Sequence, residues 1–193
     1  MSHKKKFYIV AVGLSAGGME PLHSFFAQIP PDSGIAFIVI PHLNREYVSV
    51  ADQLLAKHTT MPVHWAKQGQ AVAPNCIYML PVNKIMTILN GHLQLQTRPI
   101  NDKANWAVDI FFKSLAKTEK ACAIGIILSG AGSDGTQGAI AIHNEDGLVM
   151  VQDPQSAEFS AMPTSAILRD HPTHILPPKR LAKSLMSFVT DVD

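Results

Sequence analysis

Cysteine is almost missing: Cys76 and Cys122 are the only two among 193 residues. Two thiols without metal-ligand spacing build neither a disulfide framework nor a zinc site. Both stand in apolar runs and read as reduced core residues. An excess of charge of one sign is missing too. Sixteen Lys and Arg meet 15 Asp and Glu, for a net charge of +1. That leaves no electrostatic case for nucleic acid or an anionic membrane surface. Lys4-Lys5-Lys6 is the one basic cluster and reads as a solvated N-terminus. No apolar run approaches the roughly 18 residues of a membrane helix. The run 7–12 behind those lysines is too short for a signal h-region plus cleavage site, and it leads straight into glycines. Internal repeats, low-complexity stretches and metal motifs such as H-E-x-x-H or C-x-x-C are also lacking. The reading is a cytoplasmic protein with no membrane insertion, no nucleic-acid partner, no metal and no cofactor.

What the chain does have is an ordinary globular composition, 47% hydrophobic and 16% charged. Short apolar runs alternate with helix-length amphipathic segments, the pattern of βαβ units and a parallel sheet. Residues 7–12, 35–40, 76–80, 123–128 and 148–152 read as strands. Residues 19–29, 106–117, 136–144 and 178–189 read as helices, the last with Pro178 at its start. Ser49 is placed to cap a further helix running to Lys57. Asn90-Gly91 joins 85–89 to 92–96 as a two-residue hairpin. The expected fold is α/β, a three-layer, doubly wound, mostly parallel sheet with that antiparallel hairpin as an insertion. The chain 1–193 reads as a single domain without a linker. Such sheets hold ligands beyond the carboxyl ends of their strands.

Gly13-Leu14-Ser15-Ala16-Gly17-Gly18 lies between the first strand and first helix and matches Gly-x-Ser-x-Gly. In that pattern a tight turn exposes a serine hydroxyl beside helix N–H groups that stabilise an oxyanion. A phosphate-cradling loop is the competing reading of any glycine-rich strand-to-helix turn. Here neither G-x-G-x-x-G nor a P-loop lysine is present. The second strand ends not in a ribose-binding acid but in Pro41-His42.

His42 is set apart from the other eight histidines by position, since surface roles suffice for His23, His143 and the rest. If strands one and two are adjacent, it stands beside Ser15. Imidazole is the side chain suited to accept a proton near neutral pH. Asp134, in Gly130-Ala131-Gly132-Ser133-Asp134-Gly135, follows another buried strand. It reads either as the cap of the helix it precedes or as the acid that orients His42. The order Ser, His, Asp differs from that of α/β-hydrolases, so such a triad is convergent.

At these residues the chain resembles the catalytic domain of CheB-type protein-glutamate methylesterases. The resemblance runs from Ile9 to about Leu176, in the blocks 12–18, 39–43, 108–116, 125–138 and 151–167. The last block holds Gln152-Asp153, Ser156, Met162-Pro163 and Ala166-Ile167. The resemblance implies hydrolysis of glutamate γ-methyl esters on chemoreceptor helices, and deamidation of receptor glutamines. It assigns Ser15 as nucleophile, His42 as base and Asp134 as orienting acid. It puts Ala16, Gly17, Ala131, Gly132 and Met162 around the oxyanion and substrate pocket. The implied partners are a methylated chemoreceptor or receptor-like protein, and a methyltransferase, receiver or kinase domain in cis or trans.

Asp32-Ser33-Gly34 and the stretch 54–58 are closer to methylesterase domains fused to a methyltransferase, and no receiver domain is expected within this chain. The pattern is broken in four places. Ala16 replaces Thr, Ala131 replaces Met or Thr, Ala161 replaces Gly, and Asn105-Trp106-Ala107 replaces Arg-Pro-Ser. The chain alone is expected to be active toward a suitable substrate, the contrary reading being that the polar, irregular stretch 98–105 lies over Ser15 as a lid. Two other readings stand beside the hydrolase. One is a CheB-like domain of weakened catalysis that binds a partner in a signalling protein, and the other is a nucleotide-binding domain.

Overall fold

A run such as Ala36–Pro41 carries no charged side chain and is buried along its whole length, so both of its faces must be covered. The computed structural model, which describes residues 7–42, 50–99 and 106–191, covers them with helices. In chain order β1 (Ile9–Leu14), α1 (Met19–Phe26), β2 (Ala36–Pro41), α2 (Ala51–Leu55), β3 (Val63–Trp65) and β4 (Cys76–Met79) come first. The hairpin strands β5 (Lys84–Leu89) and β6 (His92–Thr97) and helix α3 (Ala107–Glu119) follow. The chain then runs through β7 (Ala123–Ile127), α4 (Thr136–Asn144), β8 (Leu148–Gln152), α5 (Ala161–Arg169), β9 (His174–Leu176) and α6 (Pro178–Asp191).

Seven strands form one sheet in the order β3-β4-β2-β1-β7-β8-β9, and every pairing in it is parallel. Alternate residues of the central strands feed two cores. Val10, Val12, Leu14, Phe37 and Val39 pack with Leu22, Phe25 and Phe26 of α1, Leu55 of α2 and Leu181 and Leu185 of α6. Ile9, Ala11, Ile38 and Ile40 pack with Val108, Phe111 and Phe112 of α3, Ile142 of α4 and Met162 of α5. The hairpin is a separate two-stranded sheet. It turns on Asn90 (φ 50°) and Gly91 (φ 73°), as its two-residue loop requires. It rests on α3, where Ser114 Oγ accepts the Ile88 N–H at 3.1 Å.

Strand order reverses around β1: β2 lies on one side and β7 on the other. This is the switch point at which doubly wound sheets open a crevice.

The structure corrects the expected elements in several places. The first strand runs on to Leu14 rather than ending at Val12, because Gly13 and Leu14 pair with Ile40 and Pro41 of β2. Gly13 is therefore not a turn glycine. A Cβ there would stand 2.4 Å from Val108 Cγ1, so its bareness admits α3. Helix α5, with Pro163 in its first turn, and the three-residue strands β3 and β9 were not expected. Cys76 and Cys122 are both half-buried rather than core residues, the first opening β4 and the second ending a 3-10 turn.

His23 is not simply a surface residue. Its ring stacks on His58 with centroids 4.2 Å apart. Burial, then the neighbouring His58, lowers its pKa against the opposing pull of Glu20. Lys4-Lys5-Lys6, Leu43, the Ser49 cap and residues 100–105 of the candidate lid lie outside the described residues. Among those described, no helix is long and apolar enough to cross a membrane.

Gly13→Ala is expected to cost about 1–3 kcal/mol through overpacking, read as a lower urea midpoint. Most of that loss should return in Gly13→Ala/Val108→Ala, which removes the methyl groups that clash. Simple additivity in the double variant would place the cost elsewhere.

Candidate active site

The carboxyl end of β1 delivers Ser15, and the neighbouring strand ends deliver the two residues that complement it. The His42 N–H donates to the Leu14 carbonyl at 3.0 Å, extending the β1–β2 ladder by one residue. The Ser15 N–H donates to the Ser129 carbonyl at 3.0 Å, extending the ladder toward β7 in the same way. His42 Nε2 donates to Asp134 Oδ2 at 2.6 Å. Asp134 is only 3% exposed and His42 16%. With Nε2 carrying the proton, the Nδ1 lone pair is the basic site left to the imidazole. No hydrogen bond joins Ser15 Oγ to His42, whose ring is bonded to Asp134 alone among the described residues.

Asp134 is a cap, but not of the helix it precedes. Its Oδ2 accepts the Val108 N–H at 2.9 Å and its Oδ1 accepts the Asp109 N–H at 2.9 Å. Those are free amides at the N-terminus of α3, where a negative charge is favoured. Oδ1 also accepts the Gly135 N–H at 2.9 Å. The N-cap position of α4 falls instead to Gly135, with φ at 92°. The carboxylate that caps α3, a helix remote in sequence, is also the one hydrogen-bonded to His42.

The remaining candidates divide. Ser15, Ala16 and Gly17 are half-exposed on the turn, where Gly17 adopts φ 66°, a left-handed conformation that glycine takes without strain. Met162 is buried and comes with them: its N–H donates to the Gly130 carbonyl at 2.9 Å. A Cβ on Gly130 would stand 3.0 Å from Ser15 Cβ and collide with Met162 Sδ. Ala131 and Gly132 are exposed, and a Cβ on Gly132 (φ 85°) would meet nothing within 4 Å.

Sequence reading missed the amides of Val108 and Asp109 and the segment 158–159. Glu158 and Phe159 lie close over the turn. A Cβ on Gly17 would stand 2.8 Å from Glu158 Oε2 and 2.9 Å from Phe159 Cδ2. The one available signal for α3 was that Val108 opens a block of the family resemblance. Among the described residues no group of three or more His, Cys, Asp or Glu could hold a metal ion.

Residues 10–185 match the family model described as CheB methylesterase. A protein of Pseudomonas putida named protein-glutamate methylesterase/protein-glutamine glutaminase of group 3 operon is 29% identical over 181 residues, 93% of this chain and 54% of that protein. A protein-glutamate methylesterase/protein-glutamine glutaminase of Trichodesmium erythraeum is 28% identical over 185 residues, 94% of this chain and 53% of that protein. The chain thus spans about half the length of the curated relatives it matches. The crystal structure of the Thermotoga maritima CheB methylesterase catalytic domain superimposes with a TM-score of 0.86 at 24% identity. That match covers 95% of this chain and 99% of the other, and shows the fold.

Asp109, beside Asp134, is 5% exposed and its Oδ1 accepts the Gly138 N–H at 2.7 Å. Burial raises its pKa above the ordinary carboxylate value, and the Asp134 charge adds to this, while the Gly138 and Gly135 amides and Lys113 oppose it. The folded state therefore binds this proton more tightly than the unfolded chain, and the group's contribution to stability falls as pH rises through the raised value. Asp109→Asn cannot ionise yet keeps an oxygen for Gly138. Urea unfolding should find it more stable than the parent at pH 7, with the advantage gone below the ordinary carboxylate range. An advantage that grew on acidification would contradict the assignment.

Proposed function

Because the chain belongs to the CheB methylesterase family, we propose that it hydrolyses glutamate γ-methyl esters on a chemoreceptor or receptor-like protein with Ser15 as nucleophile. The observation that carries this reading is the 2.6 Å hydrogen bond between His42 and Asp134, made beside the strand end that presents Ser15. The curated relatives supply the substrate class through their name, protein-glutamate methylesterase/protein-glutamine glutaminase.

His42 accepts the Ser15 proton as Oγ attacks the ester carbonyl carbon. The carbonyl π electrons move to oxygen, and the oxyanion meets amides of the turn 15–18. Collapse expels methoxide, which takes the proton from His42 and leaves as methanol. Water then attacks the acyl-enzyme, giving a proton to His42; in the second collapse that proton passes to Ser15 Oγ as it leaves, and the carboxylic acid released ionises to a glutamate side chain. The same sequence on a glutamine side chain releases ammonia. Asp134 favours each cationic state of His42 and holds its ring in place.

The domain is read as one catalytic unit that works in the cytoplasm on receptor side chains. A methyltransferase, receiver or kinase domain, in cis or trans, is its expected regulatory company. Glu158, beside Gly17, gives the rim a negative charge. A neutral ester or amide approaches that rim without repulsion, and the carboxylate product leaves it.

Ser15→Ala should abolish methanol release from a methylated receptor fragment while leaving the circular dichroism spectrum unchanged. Retention of more than a few per cent of activity would remove Ser15 as nucleophile. Asp134→Asn should lower turnover on the order of 10⁴-fold, the loss seen when a triad acid is changed so. It should also destabilise the fold by about 1–3 kcal/mol, because one face of the amide presents N–H groups to backbone donors that then go unpaired. Near-normal turnover with the stability loss alone would leave Asp134 a cap and nothing more.

A further inference from the structure

Ser129 is fully buried at 0% exposure, yet all of its polar groups are engaged. Its N–H donates to Gln152 Oε1 at 2.9 Å, and its carbonyl accepts the Ser15 N–H at 3.0 Å. Its Oγ accepts the Phe159 N–H at 3.0 Å. The hydroxyl proton goes to the Ala16 carbonyl at 3.0 Å, with the Phe159 carbonyl a longer alternative at 3.3 Å. The latter oxygen already receives the Gly130 N–H at 2.9 Å. Gln152, also fully buried, spends its amide N–H groups on the Ser156 carbonyl and Oγ, at 3.0 and 3.2 Å. One side chain therefore grips the residue after the nucleophile and is itself held from the far side.

The Ala16 contact has a consequence for the neighbouring peptide. A trans peptide is planar, with C=O and N–H on opposite sides. An Ala16 carbonyl drawn toward buried Ser129 sends the Gly17 N–H the other way, out of the core. That N–H, like the Ala16 N–H, has no acceptor among the described residues. Gly17, with φ at 66°, lacks the Cβ that limits such a peptide to one orientation, so no side chain of its own bars a rotated alternative. Released from Ser129, the same peptide could turn its carbonyl, an acceptor, toward the place where an oxyanion forms.

We propose that Ser129 is a positioning residue of the esterase. Its hydroxyl locks the Ala16–Gly17 peptide so that the Gly17 N–H joins that of Ala16 as a donor to the oxyanion formed on Ser15. This rests on the hydrolase reading given above. A merely structural Ser129, joining the Phe159 segment to the end of β7, would affect stability without favouring the transition state over the substrate.

The test compares the wild-type chain with Ser129→Ala and Ser129→Thr, measuring kcat and KM on a methylated receptor fragment and the inhibition constant of a small alkylboronic acid. The boronate forms a tetrahedral adduct with Oγ and so reports the oxyanion donors. Ser129→Ala is expected to lower kcat about 10–100-fold, less than the 10²–10³ lost when an oxyanion donor is removed outright. KM should stay within about twofold, and boronate affinity should fall by the same factor as kcat. Ser129→Thr retains Oγ and should recover most of both. Unchanged kcat, or a loss confined to KM, in Ser129→Ala would overturn the proposal while leaving Ser15 hydrolysis standing.

A second measurement needs no variant. In the wild-type chain the Gly17 amide proton should move downfield when the boronate binds, and a stationary resonance overturns the proposal. A wild-type chain that neither turns over the fragment nor reacts with a fluorophosphonate overturns the hydrolase reading and this inference with it.

Discussion

The arrangement hangs on a single buried carboxylate. Asp134 receives four hydrogen bonds, from His42 and from the amides of Val108, Asp109 and Gly135. An isolated carboxylate at that depth would be severely destabilising, and these donors are what make it tolerable. In return the carboxylate supplies acceptors for two amides at the buried N-terminal end of α3 and a hydrogen-bond partner for the imidazole. Helix placement and ring placement are one constraint. A shift of α3 along its axis would carry the Val108 and Asp109 amides away from Asp134, leaving the carboxylate bonded to His42 with two of its four donors gone.

That constraint explains why α3 is braced from three directions. The sheet accepts it at Gly13, whose missing side chain makes room for Val108. Helix α4 approaches it at Gly138, where a Cβ would stand 2.4 Å from Phe112 Cβ, and where the Gly138 N–H reaches Asp109. The hairpin covers its remaining flank through Ser114 and Ile88. Close-packed interiors transmit small displacements rather than absorbing them. The bareness of Gly13 and Gly138 is thus part of how the site is held, although neither residue touches the reacting atoms.

Much of this was open to a reader of the sequence. Runs such as Ile124-Gly125-Ile126-Ile127 have no polar face, and only a sheet covered on both sides accommodates them. The residues presented at the ends of three such runs, Ser15, His42 and Asp134, could be named because strand ends face one crevice. What escaped was of another kind. The role of Gly13 depends on Val108, 95 positions later, and no local pattern announces such a packing pair. Helix α5 hides behind Pro163, which reads as a breaker until it is seen in the first turn, where its missing N–H costs nothing. Strands β3 and β9 are three residues long at the two sheet edges, too short for a periodicity to emerge. The link between Asp134 and α3 joins backbone amides to a side chain, and backbone amides leave no signature in the sequence.

The chain order of the three residues follows from the winding of the sheet. Strands β2 and β7 are both neighbours of β1, so their ends lie two strand spacings apart, on the order of 10 Å. Side chains placed directly at those ends would face each other across Ser15 at a distance no hydrogen bond spans. The gap closes because the chain after β7 folds back across the end of β1. The Leu128 N–H donates to Gly13 and the Ser129 carbonyl receives Ser15. The segment then turns through Gly132, at φ 85°, and brings Asp134 within hydrogen-bond distance of His42. Ser15 stands at the end of the central strand, the one place in this sheet where residues can converge from both sides. His42 and Asp134 take the two flanks, and their order follows from the chain visiting β2 first and β7 later. Strand adjacency selects the three residues, and their separation along the sequence is incidental to the chemistry they are placed to perform.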